Sequence, residues 1–326
     1  MGQHWKLVNI DKKRQLFNHA KLNLFSHGQL QLREFLLNGI AEQLVGLLRV
    51  PRWSAFNISN EDIFASKLKS ATSPLVSLPQ EIVDLVVSAL ACSGGEHVIC
   101  LSLTCSYFFR LLSSSNQTLL IRDVAPWAGD RLILVGDFAE GIPAGIASDD
   151  EHREWTQLGE NPLYDLPDAH VGENLPPEMP HWMRKGMVER PHMLISHVQE
   201  RLKEDDGDLQ LCARLMQMLT TQSHDTEPSK HQSVLRNLTT KEYILDETIA
   251  KSQFAYSLGE VLATFSLWTE EPSGTQSLGC KGIWAGHRFD IATLGEVTEE
   301  WTDLSAKAIE NLARGTQRPK KDGKRS

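Results

Sequence analysis

Trp127-Ala128-Gly129-Asp130-Arg131 returns 157 residues later as Trp284-Ala285-Gly286-His287-Arg288. Only 8 of the 326 residues are Trp, so a repeated Trp-Ala-Gly-x-Arg says more than a repeated apolar pair. Upstream, Leu7-Val8-Asn9-Ile10-Asp11-x-Lys13 is echoed by Leu235-Arg236-Asn237-Leu238-Thr239-x-Lys241. Asn and Asp tolerate turn conformations, so each stretch reads as a strand and turn. The Asn-to-Trp separation is 118 residues in the first copy and 47 in the second. The excess of 71 equals the length of Pro51 to Ile121. A long insertion is tolerable when its ends lie close, so the spacing predicts two related α+β halves with a helical insertion in the first. Two copies are too few for a solenoid. A pair around a pseudo-two-fold axis, sharing one sheet or core, fits the pattern.

The expected fold class is therefore α+β, divided as follows. Residues 1–50 and 120–140 form the first half, 51–119 the insertion (core 77–113), and 141–232 a loop-rich connector with helices. Residues 233–313 form the second half and 314–326 a basic, disordered tail. Leu132-Ile133-Leu134-Val135 is a short continuous apolar run, the mark of a buried strand. Leu30 to Leu48 and Trp301 to Leu312 carry apolar residues at helical spacing. Phe254 to Trp268 reads as an apolar helix or a strand pair. Within the connector, Asp149 to Trp155 and Leu175 to Trp182 read as ordered-loop or weakly ordered segments. Helices are expected near His192 to Lys203 and Gly207 to Thr221.

The net charge is −9, although the tail is basic through Arg314, Arg318, Lys320, Lys321, Lys324 and Arg325. The body is more acidic than the whole, which argues against nucleic-acid binding by the folded part. The tail cluster is a solvated end or a nuclear-import signal. Five cysteines, an odd number without C-x-x-C spacing, read as buried, reduced thiols of an intracellular protein. No run reaches the length of a membrane span, and the first residues lack an apolar signal core. A cytoplasmic or nuclear location is expected.

Inside the insertion, Leu78-Pro79-x-Glu81-Ile82 opens a helix, since Pro suits a first turn. Leu85, Val86, Val87 and Leu90 continue its apolar stripe. Gly94-Gly95 ends it, and a second run passes through Leu101, Leu103 and Cys105 to Phe108, Phe109 and Leu112. The stretch from Leu78 to Leu112 resembles the F-box, the short helical motif that docks a Skp-family adaptor in cullin-type ubiquitin ligases. The loop Cys92 to His97 departs from that family, where an acidic residue usually precedes the second helix; Glu96 is the nearest substitute. The Met-Gly-Gln-x-Trp-Lys start, the F-box-like helices and Trp-Ala-Gly-Asp-Arg together resemble a set of fungal proteins, a likeness that implies no activity.

The F-box resemblance implies a non-catalytic substrate receptor. Leu78, Pro79, Ile82, Leu85, Leu101, Leu103, Phe108 and Phe109 would dock the adaptor and cullin complex, and the α+β body would recruit an unknown target protein. The alternative is a small-molecule or peptide-binding α+β protein whose F-box-like helices only pack internally. Its site would be built from Trp127, Asp130, Arg131, Trp284, His287 and Arg288, because Trp offers a large face and Arg clamps a carboxylate. In a purely structural role, Asp130 would partner Arg131 or a backbone N–H. No phosphate loop, nucleophile elbow or zinc-binding helix signature occurs, so no enzyme, cofactor or metal is expected.

Overall fold

The computed structural model describes residues 4–16, 20–21, 40–51, 74–170, 193–201, 232–252, 256–270 and 280–316. The helix expected at 207–221, the segment 175–182 and the tail beyond Thr316 lie outside these. The chain forms two compact units. The body is Met1–Arg49, Trp127–Glu189 and Glu227–Ser326; the helical unit is Val50–Pro126 and Arg190–Thr226. The fold class is α+β.

The first half opens with β1 (His4–Asn9), β2 (Arg14–Gln15) and β3 (Ala20–Lys21), then α1 (Ile40–Leu48). The chain leaves for the helical unit through α2 (Gln80–Ser93), α3 (Gly95–Ser102), α4 (Ser106–Leu111) and α5 (Ser113–Val124). It returns as β4 (Leu132–Gly136), followed by α6 (Asp149–Trp155) and α7 (Pro162–Ala169). Helix α8 (Met193–Arg201) belongs to the helical unit. The second half holds β5 (Ser233–Asn237), β6 (Glu242–Leu245), α9 (Asp246–Ala250), α10 (Leu258–Phe265), β7 (Leu267–Trp268), β8 (Phe289–Thr293), β9 (Thr302–Asp303) and α11 (Ser305–Thr316).

The two halves are structurally equivalent down to individual hydrogen bonds. β1 pairs antiparallel with β4 so that Asn9 faces Leu132, and β5 pairs with β8 so that Asn237 faces Phe289. In each case the partner stands five residues beyond the Trp of the motif. Both hairpin turns end on a lysine with positive φ, 53° at Lys13 and 54° at Lys241. Trp127 N–H donates to Leu47 C=O (3.0 Å) as Trp284 N–H donates to Phe265 C=O (2.9 Å). This makes α1 and α10 counterparts. The chain therefore leaves the body just after α1 and re-enters at Trp127, close to where it left.

Across the pseudo-two-fold axis the bonds are reciprocal. Gly129 N–H donates to Phe289 C=O (2.7 Å) and Gly286 N–H to Leu132 C=O (2.9 Å). Leu132 N–H donates to His287 C=O (3.0 Å) and Phe289 N–H to Asp130 C=O (3.3 Å). Gly is needed at both motif centres because the loop turns through φ of 84° at Gly129 and 76° at Gly286, where a Cβ is strained. The segment after each helix crosses to the other half: β7 pairs parallel with β4, and Arg49 pairs parallel with Ile291 of β8. One core results, with Leu7, Leu44, Leu134, Leu235, Val261, Ile291 and Ala308 among its members.

The halves differ on the outer faces of their sheets. In the first, Val8 opposes Ile133, and the face is covered by Ala139, Ile146, Trp155, Leu163 and Leu166. In the second, the equivalent pair is Arg236 opposite Asp290, joined by an ion pair at 2.7 Å with Trp301 stacked 5.5 Å from the guanidinium. An apolar face must be covered, whereas a paired polar face needs less cover. This is why the first half carries α6 and α7. The sequence expectation of a loose segment at 149–155 is corrected: Ser148 and Glu151 form a capping box that starts α6, and buried Trp155 anchors its end. Beneath α7, fully buried Lys6 donates to Tyr164 C=O (2.7 Å) and to Asp168 (3.0 Å).

In the helical unit, Val83, Val98, Phe108 and Leu112 form one small core and Ile99, Leu103, Phe109, Leu120, Ile195 and Val198 another. Residues 120–126, read from sequence as part of the first half, instead complete α5 and its exit. The connector is likewise divided, since 149–169 packs on the first sheet and α8 packs on α3 and α5. The basic tail is shortened, because α11 runs to Thr316. Cys92 is exposed and Cys100, Cys105 and Cys280 are half-buried thiols outside any disulfide, less enclosed than the apolar runs around them suggested.

Candidate functional site

Two places gather the residues singled out in the sequence. The first is the pseudo-two-fold axis of the body. Asn9 and Asn237 end equivalent strands, and each carbonyl oxygen takes turn amides: Lys12 N–H (3.0 Å) in one half, Thr239 N–H (3.0 Å) and Thr240 N–H (3.3 Å) in the other. That fixes each side-chain amide outward as a donor. Asn9 Nδ2 donates to Asp130 Oδ2 (2.8 Å), and Asn237 Nδ2 donates to His287 Nδ1 (2.9 Å). Asp and His thus supply the same thing, an acceptor, and their difference needs no ligand to explain it. Burial pushes His287 below the ordinary imidazole range, with the Glu242 charge opposing.

Arg131 and Arg288 converge on one carboxylate. Asp11 accepts from Arg131 Nε (2.8 Å) and from Arg288 Nη1 (2.8 Å), and also takes the Arg131 backbone N–H (2.8 Å). Its counterpart Thr239 takes only the Arg288 backbone N–H, at 3.0 Å. Arg288 therefore reaches across the axis for a charge its own half lacks. Arg131 is further held by Glu151 at 2.6 Å and by the Ile146 carbonyl. The Arg131 guanidinium draws the Glu151 carboxyl down to about 2, and Glu151 in turn raises Arg131.

The six motif residues thus come together, but as a joint between halves. Trp127 and Trp284 are 1% and 0% exposed, and Trp284 lies 4.8 Å from Phe265 and 5.8 Å from Phe289 in the core. Trp284 Nε1 donates to Glu242 (2.7 Å). Two sequence expectations are corrected here. The tryptophans do not flank an open pocket, because closing one core over both halves buries them. Asp130 bonds to the Asn9 side chain and not to Arg131. Arg131 stacks on Trp155, 5.9 Å away. Asn9, Asp11, Asn237 and Glu151 were not singled out as site residues. The repeated Asn was the available signal for two of them, and nothing local announces the Glu151 contact.

The second place is α2. Its inner side packs Val83, Val87 and Leu90 into the small core, while its outer side leaves Ile82 43% and Leu85 66% exposed, with Pro79 exposed beside them. Leu75, 36% exposed, stands just upstream. Of the other residues assigned to docking, Leu78 and Leu101 are half-buried against that core. Leu103, Phe108 and Phe109 are buried within the unit, so their assignment to a docking surface is corrected: their side chains hold the helices together.

No protein-family model matches the chain, and neither a curated protein nor a solved structure matches it. Among the described residues, no helix is long and apolar enough to cross a membrane.

Proposed function

We propose that the chain is a non-catalytic, F-box-type receptor subunit of a cullin ubiquitin ligase. It docks a Skp-family adaptor through the outer face of α2 and recruits a target protein through the α+β body. The observation that carries this reading is the exposure of Ile82 and Leu85 together with Pro79 on one side of α2, in the part of the chain that resembles the F-box. Two large aliphatic side chains left in water beside a well-formed small core mark an interaction face. Such a subunit works by proximity: it raises the effective concentration of its target near a ubiquitin-loaded enzyme.

The competing ligand-site reading loses support because Trp127 and Trp284 are buried and Arg131 is occupied by two carboxylates of the chain itself. Binding of the full chain to a purified Skp-family adaptor tests the proposal. Ile82→Asp with Leu85→Asp alters only exposed positions of the unit, so it should leave the helical content intact. It is expected to weaken binding by about a hundred-fold, the scale of losing a central apolar anchor pair. Unchanged binding by that variant, or no binding by the unaltered chain, refutes it.

A further inference from the structure

The two hairpin staples differ in chemistry at one place, Asp130 against His287. Asn237 Oδ1 is taken by the amides of Thr239 (3.0 Å) and Thr240 (3.3 Å), so Nδ2 is left to donate. Its 2.9 Å contact therefore requires a lone pair on His287 Nδ1, and with it the neutral ring protonated at Nε2. An imidazolium has a proton on both nitrogens and would set one N–H against another. Asn237 is fully buried, so losing this partner strands a donor away from water. The first half has no such limit. Asn9 donates to the Asp130 carboxyl (2.8 Å), a group that offers an acceptor oxygen on either side of the imidazole range.

His287 also stands where the halves join. Its C=O takes Leu132 N–H across the axis (3.0 Å), and Arg288 beside it reaches over to Asp11 (2.8 Å) and the Gly129 carbonyl (2.8 Å). The charge acting on the ring is Glu242 of β6, which already accepts from Trp284 Nε1 (2.7 Å) and Thr240 Oγ1 (2.6 Å). Burial, which favours the neutral ring, outweighs that charge.

We propose that His287 is an acid-sensitive latch on the joint between the halves: neutral, it accepts from Asn237 and holds the second hairpin against the cross-axis loop; protonated, it drops Asn237 and the second half loosens, while the first, latched by Asp130, does not. The latch belongs to the body and stands whether or not α2 docks an adaptor. As pH falls, the unfolded chain takes up this proton first. The stabilisation is therefore complete above the ordinary imidazole value of 6.5 and is lost as pH falls below it.

Nitrogen-15 NMR and urea midpoints of the full chain test this. At about pH 8, where a free imidazole is neutral, His287 Nδ1 should show the shift of an unprotonated ring nitrogen and Nε2 that of a protonated one. The amides of Thr239 and Thr240 should lose exchange protection between about pH 7 and pH 5, while that of Lys12, the equivalent amide on Asn9, keeps it. His287→Asn places a side-chain oxygen at the Nδ1 position, an acceptor at every pH. Over the same range the folded-to-unfolded ratio of the unaltered chain should fall about ten-fold relative to His287→Asn, the scale of one buried hydrogen bond. The chain has 12 histidines, but the others are common to both proteins, so the difference reports His287. A proton on Nδ1 at about pH 8, equal loss of protection in both hairpins, or parallel midpoints for the two chains would each overturn the latch.

Discussion

Asp11 carries the load of two arginines because Thr239 stands at its equivalent position. Arg131 and Arg288 both end on it, at 2.6 and 2.8 Å. Glu151 completes the set by fixing Arg131 from the other side and by capping α6. Its folded carboxyl, at about 2, lies below the ordinary value of 4.5, so the charged form is favoured in the folded state. The sign follows from linkage: the stabilisation is fully present above the unfolded value and is lost as pH falls from about 4.5 toward 2. Glu151→Gln should therefore lower stability near neutral pH, and the gap to the unaltered chain should close on acidification, as read from urea midpoints across pH. A gap that stays constant down to about pH 2 would contradict the Arg131–Glu151 contact. The substitution of His287 for Asp130 belongs at this scale too. Each satisfies an outward-facing Asn amide, so the motif needs an acceptor at that position and tolerates either chemistry.

Helices α1 and α10 cross where equivalent residues meet. Taking Leu47 and Phe265 as counterparts makes Gly259 the counterpart of Ala41, and a Cβ on Gly259 would stand 2.4 Å from the Ala41 carbonyl oxygen. α10 is buried on every side while α1 is exposed at Glu42, Gln43 and Gly46, so the added methyl has to push α1 outward or displace core side chains. Gly259→Ala should therefore cost about 3 kcal/mol, the upper end of the usual range for overpacking a core. That corresponds to a fall in Tm of about 6–12 °C for a body of this size, measurable by circular dichroism. A melt within a degree of the unaltered chain would show that the crossing is looser. Helical spacing in the sequence identified α1 and α11, and the apolar run Leu132–Val135 identified β4. It missed α6, because Asp149 to Trp155 is polar along most of its length and owes its start to a capping box and its place to one buried Trp. It also left Gly259 unremarked, since a close helix crossing leaves no local mark beyond a glycine inside an apolar helix.

At the scale of the molecule, the chain leaves the body after Arg49 and returns at Trp127, with Leu47 and Trp127 joined by a 3.0 Å backbone hydrogen bond. Replacing 50–126 by a linker of about four residues should leave the body folded, since closing so short a gap costs little loop entropy. Amide-exchange protection of β1, β4, β5 and β8 is the measurement, and its loss on deletion would show that the insertion supports the body. The repeat was legible because Trp and Gly recur at fixed spacing within one short motif and Asn and Lys within another, and Trp, Gly and Asn each have a physical duty that restricts replacement. Trp127 and Trp284 fill the core, Gly129 and Gly286 turn the loop, and Asn9 and Asn237 staple the hairpin. Sequence by itself thus determined the α+β class, two equivalent halves and a helical insertion in the first. Tertiary structure alone decided that the paired motifs close a core instead of opening a pocket, that β7 and Arg49 cross between halves, and that Ile82 and Leu85 stay in water while Leu103, Phe108 and Phe109 do not. Apolar side chains have the same periodicity whether they face a core or a partner, and only the position of the neighbouring elements distinguishes the two.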